Sequence, residues 1–215
     1  MTNSHQELSL RLPEDAKSFF DTLTSRRSIR TFKPDLISKE IIDRLLVAAC
    51  SAPSAHNRQP WRFLVILDGS LRTRLAQAMG EALRADRKAD GVDPDEAQTE
   101  VDRSCDRIIG APVVIVLSLT MEEMDSYPDE IRSRAEYIMG VQSVAMAGEN
   151  LLLAAHAEGL AACWMCAPLF TQQIVRETLM LPPSWNPQGL IILGFPISEG
   201  RDGGRKPLDE VVLWR

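Results

Sequence analysis

Residues 130–165, EIRSRAEYIMGVQSVAMAGENLLLAAHAEGLAACWM, decide how this chain folds. From Glu130 to Glu158 the pattern is helical, and Gly159 is a suitable terminating residue. At about 1.5 Å per residue such a helix runs roughly 40 Å, long for a chain of this size. Between Gly140 and Ala157 it is apolar almost all round, broken mainly by Gln142, Ser143, Glu149, Asn150 and His156. A helix without a polar face must be buried on every side. A single chain of this size can cover one helix completely, but the length, with small residues at Gly140, Ala147 and Gly148, also suits packing against a second copy of the chain. Beyond Gly159, Leu160–Met165 reads as a strand.

Working outward, the run Pro112–Leu119 is almost continuously β-branched, the mark of a strand covered on both faces and central in its sheet. Trp61–Leu67 and Gln188–Phe195 read as further strands, and Glu210–Trp214 is strand-like. A short helix is expected over Asp15–Leu23, with Ala16, Phe19, Phe20 and Leu23 at helical spacing. Ser38 is placed to cap a helix from Lys39 to Cys50 with the apolar stripe Ile42, Leu45, Leu46 and Ala49. Another helix is expected after a cap at Thr171, ending at Pro182-Pro183. Residues 71–107 look helical but heavily charged, broken near Gly91–Pro94, and read as a solvated flap or a lid. The expected class is therefore α+β, with a mixed sheet flanked by helices, in a single domain spanning residues 1–215.

Composition narrows the function. The chain has 215 residues, 45% hydrophobic and 25% charged, enough to bury one sizeable core. Its 24 basic and 30 acidic side chains leave a formal charge of −6, opposite to the balance that nucleic-acid binding needs. No signal-peptide pattern and no long charge-free apolar run are visible, so a cytoplasmic location and no membrane partner are expected. Cys50, Cys105, Cys163 and Cys166 do not form a disulfide scaffold. The Cys163/Cys166 spacing is that of redox dithiols and zinc half-sites, but the pair ends an apolar strand instead of opening a helix, and no second spaced pair of ligands accompanies it. No metal ligands are assigned.

Two stretches carry chemistry. Arg26-Arg27-Ser28-Ile29-Arg30 puts three permanent positive charges around a hydroxyl, a compact receptor for a dianionic phosphate. On charge alone, a solvated patch pairing with Asp21 and Asp35 explains it equally well. Three charge-assisted bonds of about 1.5–3 kcal/mol each cannot by themselves hold a cofactor once the entropic cost of binding is met, so a ring-binding surface is required elsewhere. Pro53-Ser54-Ala55-His56-Asn57-Arg58-Gln59-Pro60-Trp61 is a loop of amides and hydroxyls suited to a polyhydroxyl chain or a heteroaromatic edge, or simply a well-capped turn. His56 is placed either to meet a substrate or to face solvent.

Together these stretches, RRSIRTF and APSAHNRQPW followed by a strand, then LLLAAHAEGLAACW, ILGFP and RKPLDEVV, resemble the nitroreductase family of FMN-dependent enzymes over nearly the whole chain. The resemblance implies a mixed, mainly antiparallel sheet with a long central dimer helix, and an intertwined homodimer with two FMN sites at the interface. It implies that Arg26, Arg27, Ser28 and Arg30 hold the phosphate and ribityl chain, joined by Arg205 and Lys206. Pro53, Ser54 and Asn57 would reach the flavin from the other subunit, while Cys163–Cys166 passes its ring, with Met165 and Cys166 as contacts. NADH or NADPH would donate a hydride to the flavin, and a small acceptor such as a nitroaromatic or quinone would receive it. Because the flavin performs the chemistry, no side chain is assigned as catalytic.

A narrower similarity runs from YPDEIRSRAEYIMGVQSVAMAGENLLLAAHAEGLAACW to TLMLPPSWNPQGLIILGFP. It resembles the flavin-binding C-terminal domain of the bifunctional enzymes that build the deazaflavin hydride-carrier coenzyme, and implies reduction of a dehydro precursor. A flavin-binding module without turnover and a dithiol oxidoreductase using Cys163 and Cys166 stand as the other readings.

Overall fold

The computed structural model describes residues 14–215. Its centre is a four-stranded sheet of β1 (Trp61–Ile66), β2 (Val113–Leu119), β3 (Ala161–Met165) and β4 (Asn186–Gly194), in the order β1-β2-β4-β3. All three strand pairings are antiparallel, and the parallel component is the isolated bridge between Ser28 and Ala162. The β-branched run is β2, buried at every position and flanked on both sides. Alternation along the strands divides the core. Ile115, Leu117, Ile191 and Leu193 face one helical layer, while Val114, Val116, Leu190 and Ile192 face the other.

The first layer is α2 (Lys39–Cys50) packed on α5 (Glu130–Ala157). Ser38 caps α2 as its sequence requires, its hydroxyl accepting from the Ile41 amide at 3.4 Å, and Ile42, Leu45 and Ala49 are buried. Helix α5 ends at Gly159, whose φ of +75° is open to glycine at little cost. It is long and apolar enough by composition to cross a membrane, yet Val144, Ala147, Leu151, Leu152 and Ala155 are committed to the core. Burial on every side is not what a single chain gives, because Tyr137, Ile138, Ala145, Met146 and Glu149 remain exposed. Nor do the small residues await a second copy. A side chain at Gly140 would strike Leu119 of β2, and one at Gly148 would strike Trp164 of β3, so these positions let the helix approach its own sheet.

The second layer corrects the reading of the charged segment. Helices α3 (Gly69–Ala89) and α4 (Pro94–Ile109) form a hairpin. Its narrow stripe of Leu75, Ala76, Met79, Ala97, Val101 and Ile108 is buried, largely in the core on the sheet's other face. Charge around the rest of the circumference hid a face only one or two residues wide. Two further expectations fail locally. The Thr171 hydroxyl donates back to the Ala167 carbonyl at 3.2 Å instead of capping α6 (Gln172–Thr178). The tail is not a strand within this chain: Leu208–Val211 forms the single turn α7, and Val212–Arg215 follows it unpaired. Beyond that turn Val212 alone is β-branched, and nothing among the described residues pairs with it in a ladder.

Candidate functional site

Helix α1 (Glu14–Ser25) delivers the chain into Arg26–Arg30, as the sequence suggested. Beyond it, the Ile29 amide donates to the Ala162 carbonyl at 3.2 Å and the Lys33 amide to Phe195 at 2.8 Å, so the arginine segment is pinned between the start of β3 and the exit of β4. Gly194 makes room for Phe32, because a Cβ there would lie 2.6 Å from the phenylalanine's own Cβ. Gly200, with φ of +82°, turns the outgoing chain back against Arg27 and Ile29. Two distant parts of the sequence thereby enclose a cavity of about 370 Å³ lined by Arg26, Arg27, Ser28, Arg30, Arg201 and Arg205, among others. Arg205 lines the same cavity as the arginine cluster. Lys206 is exposed and does not line this cavity. Arg201 was missed; a lone arginine between Gly200 and Asp202 carries no motif that marks it.

The partners proposed from charge, Asp21 and Asp35, are not the ones found. Arg27 Nη2 lies 3.3 Å from Asp202, and Arg26 Nε lies 3.7 Å from Glu149. Arg26 Nε is buried with no hydrogen-bond partner among the described residues. Two carboxylates against five arginines, with a buried guanidinium N–H unmatched, leave the cavity electropositive and short of acceptors, a good fit to a phosphate group. Asp202 is held below the usual carboxylate range by the Gly204 amide and then by Arg27.

On the other side of Arg27 a second cavity, about 640 Å³, is lined by Ser25, His156 and Asp202 with Ile29 and Gly200. Ser25 Oγ and His156 Nε2 share a hydrogen bond of 2.8 Å. Burial, then Arg26 and Arg27, push the His156 imidazole below its ordinary value. A lowered folded-state pKa means the unfolded chain takes the proton first. Above the ordinary imidazole value this group is neutral in both states, and as pH falls below about 6.5 it removes stability. An anion on the arginines offsets their share of that lowering, the larger share from burial remaining. Sulfate is therefore expected to raise the His156 pKa in an NMR titration of its ring protons; an unchanged value would place the anion elsewhere.

The second sequence stretch lies apart from the arginines. Ala55–Asn57 is a tight 3-10 turn on the flank of α5, with the Ala55 amide donating to Ser143 Oγ at 3.1 Å and the Gln59 amide to Ser54 Oγ at 3.0 Å. His56, Asn57 and Gln59 all adopt positive φ near 50°, a conformation side chains tolerate poorly and functional loops retain. Pro53, Ser54 and Asn57 do not line the arginine cavity, and neither do Met165 and Cys166 at the end of β3. Cys166 is exposed and accepts from Trp164 Nε1 at 3.2 Å; Cys163 is buried. No disulfide joins them.

The fold and this cavity define an α+β protein with a preformed cavity lined by five arginines. The nitroreductase family profile matches residues 23–195, and the chain belongs to that family, whose members are oxidoreductases. It is 30% identical to an NADH dehydrogenase of Thermus thermophilus, the match covering 88% of this chain and 92% of that one. It is equally, at 30%, identical to 5,6-dimethylbenzimidazole synthase of Rhodospirillum rubrum over 81% of this chain and 80% of the other. Among solved structures, a nitroreductase-like protein of Desulfovibrio desulfuricans in complex with FMN superposes with a TM-score of 0.72 at 28% identity, covering 92% of this chain and 96% of that one.

Proposed function

We propose that this chain is a single-domain, FMN-dependent oxidoreductase that passes reducing equivalents from NADH or NADPH to a small, flat acceptor such as a nitroaromatic or quinone. The observation that carries the reading is the convergence of Arg26, Arg27, Ser28, Arg30 and Arg205 on one cavity. Those residues would hold the phosphate, with Arg201 beside them. Lys206, exposed on the same segment, would contribute long-range attraction. FMN, when bound, supplies the two-electron redox chemistry. The protein's part is to anchor one end of the cofactor, to present Met165 and Cys166 along the ring, and to leave the opposite face open for donor and acceptor in turn.

Pro53, Ser54 and Asn57 would complete the site from a second subunit. The homodimer is supported by apolar surface that one chain leaves uncovered. Phe19 and Phe20 of α1 are 59% and 47% exposed, Ile138 and Met146 lie bare on α5, and Trp214 in the tail is 87% exposed. We place such a dimer in the cytoplasm, a reading supported by the commitment of Val144, Ala147 and Leu151 of α5 to the core. The narrower role, reduction of a dehydro precursor of a deazaflavin coenzyme, shares this site and differs only in its acceptor.

Purified protein is expected to be yellow and to release FMN on denaturation. Stopped-flow mixing with NADH or NADPH should bleach the flavin absorbance. Protein that takes up no FMN sinks the proposal; FMN that neither donor bleaches reduces the chain to a flavin-binding module.

A further inference from the structure

Away from the arginine cavity, His56, Asp125 and Glu136 converge, one ligand atom from each lying within 4.8 Å of the others. They come from three separate segments: the turn after α2, the loop after β2, and the second turn of α5. Glu136 is the unusual member. Its side chain is only 1% exposed; one carboxylate oxygen accepts from the Asp125 amide at 3.1 Å, and the other, Oε2, is buried with no partner among the described residues. Burying a carboxylate oxygen without a partner is costly, and proteins retain such groups where something pairs with them. Arg58 Nη2, 2.6 Å from Asp125 Oδ1, pairs with Asp125 and does not reach Glu136 Oε2.

We propose that these three side chains bind a divalent transition-metal ion, with zinc the best match. One imidazole and two carboxylates form a mixed nitrogen–oxygen set of the borderline kind zinc accepts. At metal–ligand bonds of about 2.0–2.2 Å, tetrahedral donor atoms stand about 3.3 Å apart, so the set must contract by about 1.5 Å at most. His56 is exposed and can swing inward, whereas Glu136 is fixed in the core. The ion ties the strained 55–59 turn to α5, and it satisfies Glu136 Oε2. Asp125 keeps a second oxygen for Arg58. This site uses neither the arginines nor Met165 and Cys166; it shares the 53–59 turn with the flavin assignment but none of its assigned side chains, and zinc binding is read without FMN.

The test is a titration of the chelator-treated full chain with Zn2+ by calorimetry, followed by Co2+ as a spectroscopic substitute. Expected are one saturable ion per chain, a rise in melting temperature with added zinc, and a cobalt spectrum without a thiolate charge-transfer band. His56→Ala and Glu136→Gln should each weaken binding at least tenfold and abolish the zinc-dependent rise in melting temperature. His56 is exposed, so its variant is expected to fold even if the Glu136 variant does not. Absence of saturable binding would overturn the proposal. So would unchanged affinity in both variants, or a thiolate band placing the ion on exposed Cys50 or Cys166.

Discussion

Replacing Arg26 and Arg30 together by alanine is expected to weaken FMN binding by two orders of magnitude or more while leaving the unfolding of the flavin-free protein almost unchanged. Each guanidinium would contribute a charge-assisted contact of about 1.5–3 kcal/mol to bound FMN, and about 1.4 kcal/mol is a factor of ten in affinity. Two such contacts give roughly 3–6 kcal/mol, and the lower end is the better guide because Arg30 is exposed and screened by solvent. Stability should barely move. Among the described residues, the ion pair of Arg26 reaches a half-exposed Glu149 at 3.7 Å, and pairs of that kind contribute about 0–1 kcal/mol. Flavin fluorescence quenching gives the dissociation constant, and thermal unfolding without FMN gives the control. Unchanged affinity would move the phosphate anchor away from this cavity; a large loss of stability would make the cluster structural. Arg26→Lys refines the result, since it keeps the charge and loses the planar fork that aims two N–H groups at one phosphate.

How much of this was legible in the sequence depends on how local each signal is. Helix α2 falls on its expected residues because Ser38, the apolar stripe and Pro53 all lie within one short segment. Strand β2 was legible because its β-branched residues suit a position covered on both sides. The charged α3–α4 hairpin was misread because burial of Leu75, Ala76 and Met79 depends on a sheet face built from residues far along the chain. The small residues of α5 misled for a similar reason: periodicity shows that something comes close at Gly140 and Gly148, not whether it is a second copy or the chain's own sheet. The candidate site divides the same way. Arg26–Arg30 is contiguous and declares itself, Arg205 was reached only through family resemblance, and Arg201 and His156 join the arginines only in three dimensions. His56, Asp125 and Glu136 share no spacing motif, and nothing short of the fold brings them together.

Gly148 joins the fold to the candidate site, and Gly148→Val is expected to cost about 3 kcal/mol of stability. A Cβ at this position would lie 2.2 Å from Cζ3 and 2.8 Å from Cε3 of Trp164, far inside any tolerated contact. The indole cannot retreat across the sheet, because on its other side a Cβ at Gly189 would already lie 2.6 Å from Cε2 and Cζ2. Overpacking of a rigid ring costs about 1–3 kcal/mol, and valine adds further branches to a helix that crowds them. Gly148→Ala makes the graded comparison. Alanine gains about 1 kcal/mol of helix propensity over glycine, so its net loss should be smaller, about 1–2 kcal/mol, but of the same sign. At roughly 2–4 °C per kcal/mol for a chain of this length, the valine variant should melt some 6–12 °C lower. Trp164 also donates to Cys166 Sγ at 3.2 Å, so displacing the indole drags the Met165–Cys166 segment with it. FMN affinity should therefore fall in both variants even at temperatures where they remain folded, with a matching change in tryptophan fluorescence. A melting temperature that rises in either variant would show that the ring is not clamped between α5 and β4. Retained FMN affinity in a destabilised variant would separate the packing of Trp164 from the placement of the flavin.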